Sequence, residues 1–268
     1  MIGVFDSGLG GLTIFKGLIK KLPKYQYIYL GDNARVPYGT RSFDVIYEYT
    51  KQAVDYLFKK GCVLIIVACN TASAVALRKI QKEYLPKYYP KNRVLGVLIP
   101  AAEEAVSRSG LKRIGVIGTE ATIKSNTLES EIKKLNPKAS VYQQACPLLV
   151  PIIEDGDLKW PGLRLILKKY LRPLKARRID TLVLGCTHYS IIKKPIKKII
   201  GSRIRLISED NVVPKKLRDY LRRHPEIKKR IKKGRKRDYY TTAYSQRFNK
   251  IAKMFMRKNV HFRAISLI

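Results

Sequence analysis

Two cysteines stand where an α/β protein places its chemistry. Cys69 closes the apolar run of "LIIVACNTAS" (64–73), and Cys186 closes that of "LVLGCTHYS" (182–190), 117 positions later. Small polar residues follow each at once: Asn70 and Thr71 in the first, Thr187 and His188 in the second. A helix is expected to begin near Ala72, and a cysteine at a helix start has its thiolate stabilised by backbone N–H groups, which lowers its pKa from about 8.5. His188, one of three histidines, is placed to orient the Cys186 thiol or exchange a proton with it. Taken singly, each cysteine has an inert alternative as a small buried side chain. A Cys–His pair also suits acyl transfer, but that needs one thiol. Two thiols facing one carbon suit proton removal from one face and delivery to the other, which inverts a stereocentre without a cofactor.

A third candidate follows the first apolar run. In "FDSGLGGLT", Asp6 and Ser7 precede a glycine-rich turn. The glycines invite a dinucleotide or phosphate reading, but Thr13 stands where a third glycine belongs and no GK[ST] occurs. Such a turn still exposes N–H groups that suit a carboxylate. Asp6 has the alternative of a helix cap. The four cysteines (Cys62, Cys69, Cys146, Cys186) show no CxxC spacing, so neither a metal site nor a disulfide framework is expected.

These residues need a scaffold that brings strand ends together. Short branched runs alternate with helical patterns: "IGVF", "GLTIFKGLIKKL", "YIYLGD", "SFDVIYEYTKQAVDYLFKKG", "VLIIVAC", "SAVALRKIQKEYL". The rhythm predicts parallel sheets covered by helices on both faces, with ligands beyond the strands' carboxyl ends. "IGVFDSG" at Ile2 is echoed by "IGVIGTE" at Ile114, as "LIIVACNTAS" is by "LVLGCTHYS", in the same order. Two pseudo-symmetric α/β halves follow, each offering one cysteine loop. The first half is expected to end near "GVLIPA" (96–101), and the tail, with a strand in "YYTTA" and a helix in "SQRFNKIAKMFMRK", to return to it.

At 268 residues and 46% hydrophobic, the chain can fill cores of that size. The apolar stretch Cys62–Cys69 is far short of a membrane span, and the N-terminus lacks a signal-peptide pattern, so a soluble, cytoplasmic protein is expected. Its 55 basic against 20 acidic residues give +35. From Lys215 to Arg237 there are 13 Lys or Arg and two acids, a run that is either a solvated face or a surface for nonspecific nucleic-acid contact.

The motifs "FDSGLGGLT", "GDNARVPYG", "VACNTASA", "ACPLLVPIIEDG" and "LVLGCTHY", in this order along the chain, resemble those of the glutamate racemases, cofactor-independent members of the aspartate/glutamate racemase group. The resemblance implies two α/β domains with the active site in the cleft between them, a first of residues 1–98 plus 208–268 and a second of 99–207. It implies interconversion of L- and D-glutamate with supply of D-glutamate for peptidoglycan, no cofactor, and a homodimer. Cys69 would act on the D-isomer, assisted by Asp6, and Cys186 on the L-isomer, assisted by His188. Glu154 matches a further acid near the site, with a surface carboxylate as its alternative. Ser7, Asn70, Thr71 and Thr187 match residues holding the α-amino and α-carboxylate groups. Tyr38 and Gly39 match a loop whose backbone binds the side-chain carboxylate, although Tyr38 also reads as a packed aromatic. Thr119 and Thr122 look like the second domain's cleft loop.

Departures are the long basic "LPKYYPKNRVLGVLIPA" and the loosely matching "ISEDNVVPKK". No extension precedes Ile2, so activation by a cell-wall precursor is not expected. An aspartate racemase is the nearest alternative, since it too binds two carboxylates.

Overall fold

The computed structural model describes residues 1–267. Two all-parallel sheets carry the architecture. The strands are β1 (Ile2–Asp6), β2 (Tyr27–Gly31), β3 (Leu64–Val67), β4 (Arg93–Gly96), β5 (Arg113–Gly118), β6 (Ser140–Ala145), β7 (Thr181–Gly185), β8 (Arg205–Ile207), β9 (Arg237–Thr241) and β10 (Arg263–Ala264). In space they run β10-β9-β2-β1-β3-β4 in one sheet and β6-β5-β7-β8 in the other.

The internal echo in the sequence is therefore an echo of topology. The order β2-β1-β3-β4 is reproduced as β6-β5-β7-β8, so β1 corresponds to β5 and β3 to β7. Cys69 follows β3 and Cys186 follows β7. The strands β1, β2, β3 and β7 are buried throughout, as strands covered on both faces must be.

The tail adds β9 and β10 beside β2, with Tyr29 in register with Tyr239. Phe15, on the helix Leu12–Lys21, secures this junction. Its ring meets Tyr27, Tyr29 and Tyr239 edge-on at centroid distances of 5.9, 5.4 and 5.3 Å, a geometry worth about 0.5–1.5 kcal/mol per pair beyond area burial. The same helix packs on Glu209–Arg223, the helix that leads out of the second sheet.

The segment "SAVALRKIQKEYL" departs from the continuous helix its periodicity predicts. It is broken into Asn70–Val75 and Leu77–Lys79, then a wide turn at Ile80–Tyr84, then Leu85–Tyr88. Pro86 has no N–H to donate back to Lys82, and the turn before it widens. The helix also starts at Asn70 rather than near Ala72, which makes Cys69 its cap.

Candidate active site

The loops after β1, β2, β3, β5 and β7 converge on one narrow cleft. Ser7, Tyr38, Gly39, Cys69, Asn70 and Thr71 line it from one side, and Thr119, Cys186, Thr187 and His188 from the other. Asp6, Glu154 and Thr122 stand behind the lining. A groove elsewhere, between Leu77, Leu98, Val213 and Tyr220, carries no thiol or imidazole; apolar volume alone does not mark the site.

Glycine explains how closely the loops meet. A Cβ on Gly10 would overlap Thr187 Oγ1 and come within 2.7 Å of His188 Nδ1, and one on Gly39 would come within 2.6 Å of Thr119 Cβ. The glycine-rich turn thus lets the loop after β1 touch the loop after β7.

Around Cys69 the groups are hydroxyl, amide and carboxylate. Its Sγ lies 3.3 Å from Ser7 Oγ and accepts from the Ala72 N–H at 3.5 Å. Burial and the nearby Asp6 carboxylate nevertheless push the thiol up to about 12, against the Ser7 and Ala72 hydrogen bonds that lower it. This corrects the sequence expectation of a depressed pKa: one N–H and one hydroxyl do not offset desolvation in a site where Cys69 is 5% exposed. Asp6 is itself fully buried and accepts from the Gly8 N–H at 3.1 Å and from Thr187 Oγ1 at 3.4 Å. Burial raises its pKa, opposed by His188 and by the loop N–H groups. Asp6 therefore joins the first cysteine's loop to the second's.

Around Cys186 the partner is an imidazole. His188 Nδ1 lies 3.8 Å from Cys186 Sγ, and His188 Nε2 lies 2.9 Å from Glu154 Oε1. Burial of His188 disfavours its charge, but Cys186 and Glu154 outweigh burial and hold it well above the ordinary histidine range. Glu154, on the helix Leu149–Asp155, keeps a quarter of its side chain exposed, so both the surface and the site readings of this residue describe part of it.

Three threonines cross the cleft: Thr71 Oγ1 meets Thr119 Oγ1 at 3.0 Å and Thr122 Oγ1 at 3.2 Å, while Thr119 caps the helix Glu120–Lys124. Tyr38 begins a short 3₁₀ turn; its ring is buried and its hydroxyl donates to Asp32. It is thus a packed aromatic that also contributes to the cleft lining. Val36, Pro37 and Val150 also line the site; they lie inside the motifs "GDNARVPYG" and "ACPLLVPIIEDG" but carry no chemistry to single them out. Among the described residues no cluster of three or more His, Cys, Asp or Glu is arranged to hold a metal ion, and no helix is long and apolar enough to cross a membrane.

Loops bearing paired thiols, a carboxylate and an imidazole, set on duplicated parallel sheets, thus meet at one cleft. The chain belongs to the Asp/Glu/Hydantoin racemase family, whose profile matches residues 2–208, and it is an enzyme of the isomerase class. It is 42% identical over 221 residues to the glutamate racemase of Aquifex aeolicus, covering 82% of this chain and 83% of that protein. The glutamate racemase of Streptococcus sanguinis is 37% identical over 267 residues, 99% of this chain and 98% of that one. The crystal structure of glutamate racemase from Francisella tularensis in complex with D-glutamate superposes with a TM-score of 0.89 at 36% identity, covering 99% of this chain and 97% of that one.

Proposed function

We propose that this chain interconverts L- and D-glutamate by cofactor-independent proton transfer between Cys69 and Cys186, and so supplies D-glutamate for peptidoglycan. The observation that carries the reading is the pair of buried thiols on topologically equivalent loops, both lining one cleft. With L-glutamate bound, the Cys186 thiolate takes the α-proton, the electron pair is left on the α-carbon and its carboxylate, and the Cys69 thiol delivers a proton to the opposite face. D-glutamate leaves a Cys69 thiolate and a Cys186 thiol, and the reverse reaction exchanges their roles. Asp6 assists Cys69; His188, held by Glu154, assists Cys186.

Ser7, Asn70, Thr71 and Thr187 hold the α-amino and α-carboxylate groups. The backbone at Tyr38 and Gly39 receives the side-chain carboxylate, since N–H groups in a turn favour an anionic tail. The two functional units are residues 1–98 plus 208–268 and residues 99–207, each contributing one thiol. The enzyme works in the cytoplasm as a homodimer, which sedimentation tests directly. The run Lys215–Arg237 spans the ends of the helices Glu209–Arg223 and Pro225–Arg230 and the start of β9; nonspecific nucleic-acid retention there would weaken steeply with salt.

The deciding experiment incubates the reduced protein with L-glutamate in D₂O without pyridoxal phosphate, beside Cys69→Ala and Cys186→Ala. Racemisation with deuterium at the α-carbon, lost in both variants by about a hundred-fold or more, is the expected result. If the wild type exchanges no α-proton on glutamate but does so on aspartate, the substrate assignment is wrong.

A further inference from the structure

One buried carboxyl group has no part in that reaction. Glu209 opens the helix Glu209–Arg223, is 2% exposed, and accepts a hydrogen bond from Asn70 Nδ2. Among the described residues five buried side-chain polar atoms have no hydrogen-bond partner, and two of them sit on this one pair: Glu209 Oε2 and Asn70 Oδ1. With Glu209 ionised, both atoms are acceptors and neither has a donor. Leaving a buried acceptor unmatched is costly, and a buried unpaired charge costs more. One proton satisfies both atoms.

We propose that Glu209 is a neutral carboxylic acid at physiological pH, donating Oε2–H to Asn70 Oδ1 while accepting from Asn70 Nδ2. The two bonds close an acid–amide ring that fixes Asn70, and with it the Cys69 loop, on the first turn of this helix. Glu209 is then a positioning residue, a role that rests on the reading of Asn70 as part of the substrate site.

The surroundings favour the neutral form. Burial raises the Glu209 pKa well above the ordinary carboxylate range; the Asn70 hydrogen bond opposes this, and the carboxylates of Asp210 and Asp6 add to it. The ammonium of Lys193 is engaged with Asp210, at 2.6 Å. Asp210 makes the matching tie to the other loop. It accepts from Lys193 and from Ser208 Oγ at 2.6 Å, and Ser208 Oγ meets Ser190 Oγ at 2.9 Å, just beyond Cys186. Adjacent residues of one helical turn thus hold the two cysteine loops, Glu209 through Asn70 and Asp210 through Lys193, Ser208 and Ser190.

The test compares wild type with Glu209→Gln and Glu209→Ala. Gln reproduces the ring, its amide N–H donating to Asn70 Oδ1, so E209Q keeps kcat within about three-fold while E209A loses about ten-fold or more. Infrared spectroscopy of the wild type at neutral pH shows a protonated-carboxyl stretching band that E209Q lacks. Because the folded protein retains a proton that the unfolded chain releases above about pH 4.3, wild-type stability falls relative to E209Q as pH rises from there towards the folded-state value. Absence of the band, or a stability difference that stays flat or reverses with pH, overturns the neutral acid. Full activity in E209A overturns the positioning role. The infrared and thermal readouts do not depend on turnover, so they stand apart from a failure of the glutamate assignment.

Discussion

The loops after β3 and β7 occupy the same place in matching sheets, yet they surround their thiols with different groups. Cys69 sits among a hydroxyl, an N–H and a buried carboxylate, and burial with that carboxylate keeps its proton on. Cys186 faces an imidazole whose far nitrogen is held by Glu154 and whose charged form is favoured. A carboxylate beside a thiol disfavours the thiolate, as Asp6 does at Cys69. Duplicated topology thus places two thiols symmetrically, while the groups around them differ: a hydroxyl and a buried carboxylate at Cys69, an imidazole at Cys186. For a racemase the asymmetry cannot change the ratio of kcat/KM for the two enantiomers, because mirror-image substrates are equal in free energy. It can divide kcat from KM differently for each.

Removing the imidazole should erase the contrast most completely. His188→Asn is expected to lower kcat/KM about a hundred-fold for both enantiomers, the scale of a lost general acid–base partner; a loss within about three-fold would mean that the ring only packs. Gly10→Ala acts on the same contact from the other side, since its methyl would press on Thr187 and the His188 ring. Overpacking of this kind costs about 1–3 kcal/mol, and thermal unfolding together with a roughly ten-fold or greater fall in kcat/KM checks it.

Glu154→Gln is gentler and separates charge from shape. In the wild type, burial lowers the His188 pKa, and Cys186 and Glu154 more than restore it. A raised folded-state pKa adds stability that is fully present below the unfolded histidine value, about 6.5, and is lost as pH rises through the folded value. With Gln at 154 one of the raising groups is gone, so activity and that stability should both fail at a lower pH than in the wild type. The expected loss at neutral pH is about ten-fold; an unmoved alkaline limb would show that Glu154 serves only to orient the ring.

Much of this arrangement is legible in the chain. Apolar strands end visibly at Asp6, Cys69 and Cys186, and because parallel strands collect their carboxyl ends at one edge, reading those ends in order recovers the site. The weak repeat at Ile2 and Ile114 announces the duplicated topology. The break in the helix after Cys69 is hidden, because "SAVALRKIQKEYL" keeps its apolar period through the wide turn that Pro86 demands. Glu209 is hidden for a different reason: its partner Asn70 lies 139 residues away, and nothing in "ISEDNV" distinguishes a buried acid from a helix-starting one. The raised pKa of Cys69 is equally non-local, since it depends on burial and on a carboxylate from β1.

The smallest expected effect probes that last point. Ser7 Oγ is one of two groups that lower the Cys69 pKa, against burial and Asp6. Ser7→Ala deletes the hydroxyl without adding bulk, so the thiol's pKa should rise further and the thiol give up its proton less readily. A neutral hydrogen bond of this kind contributes about 0.5–1.5 kcal/mol, which corresponds to a rate loss of roughly two- to twelve-fold. The effect should fall on the step in which Cys69 is the base, with kcat on D-glutamate reduced more than kcat on L-glutamate while kcat/KM declines equally for both. Ser7→Thr, which restores the hydroxyl, should recover part of the loss. An equal fall of kcat in both directions would mean that Ser7 serves substrate binding alone, and the chemical difference between the two thiols would then have to come from Asp6 and His188.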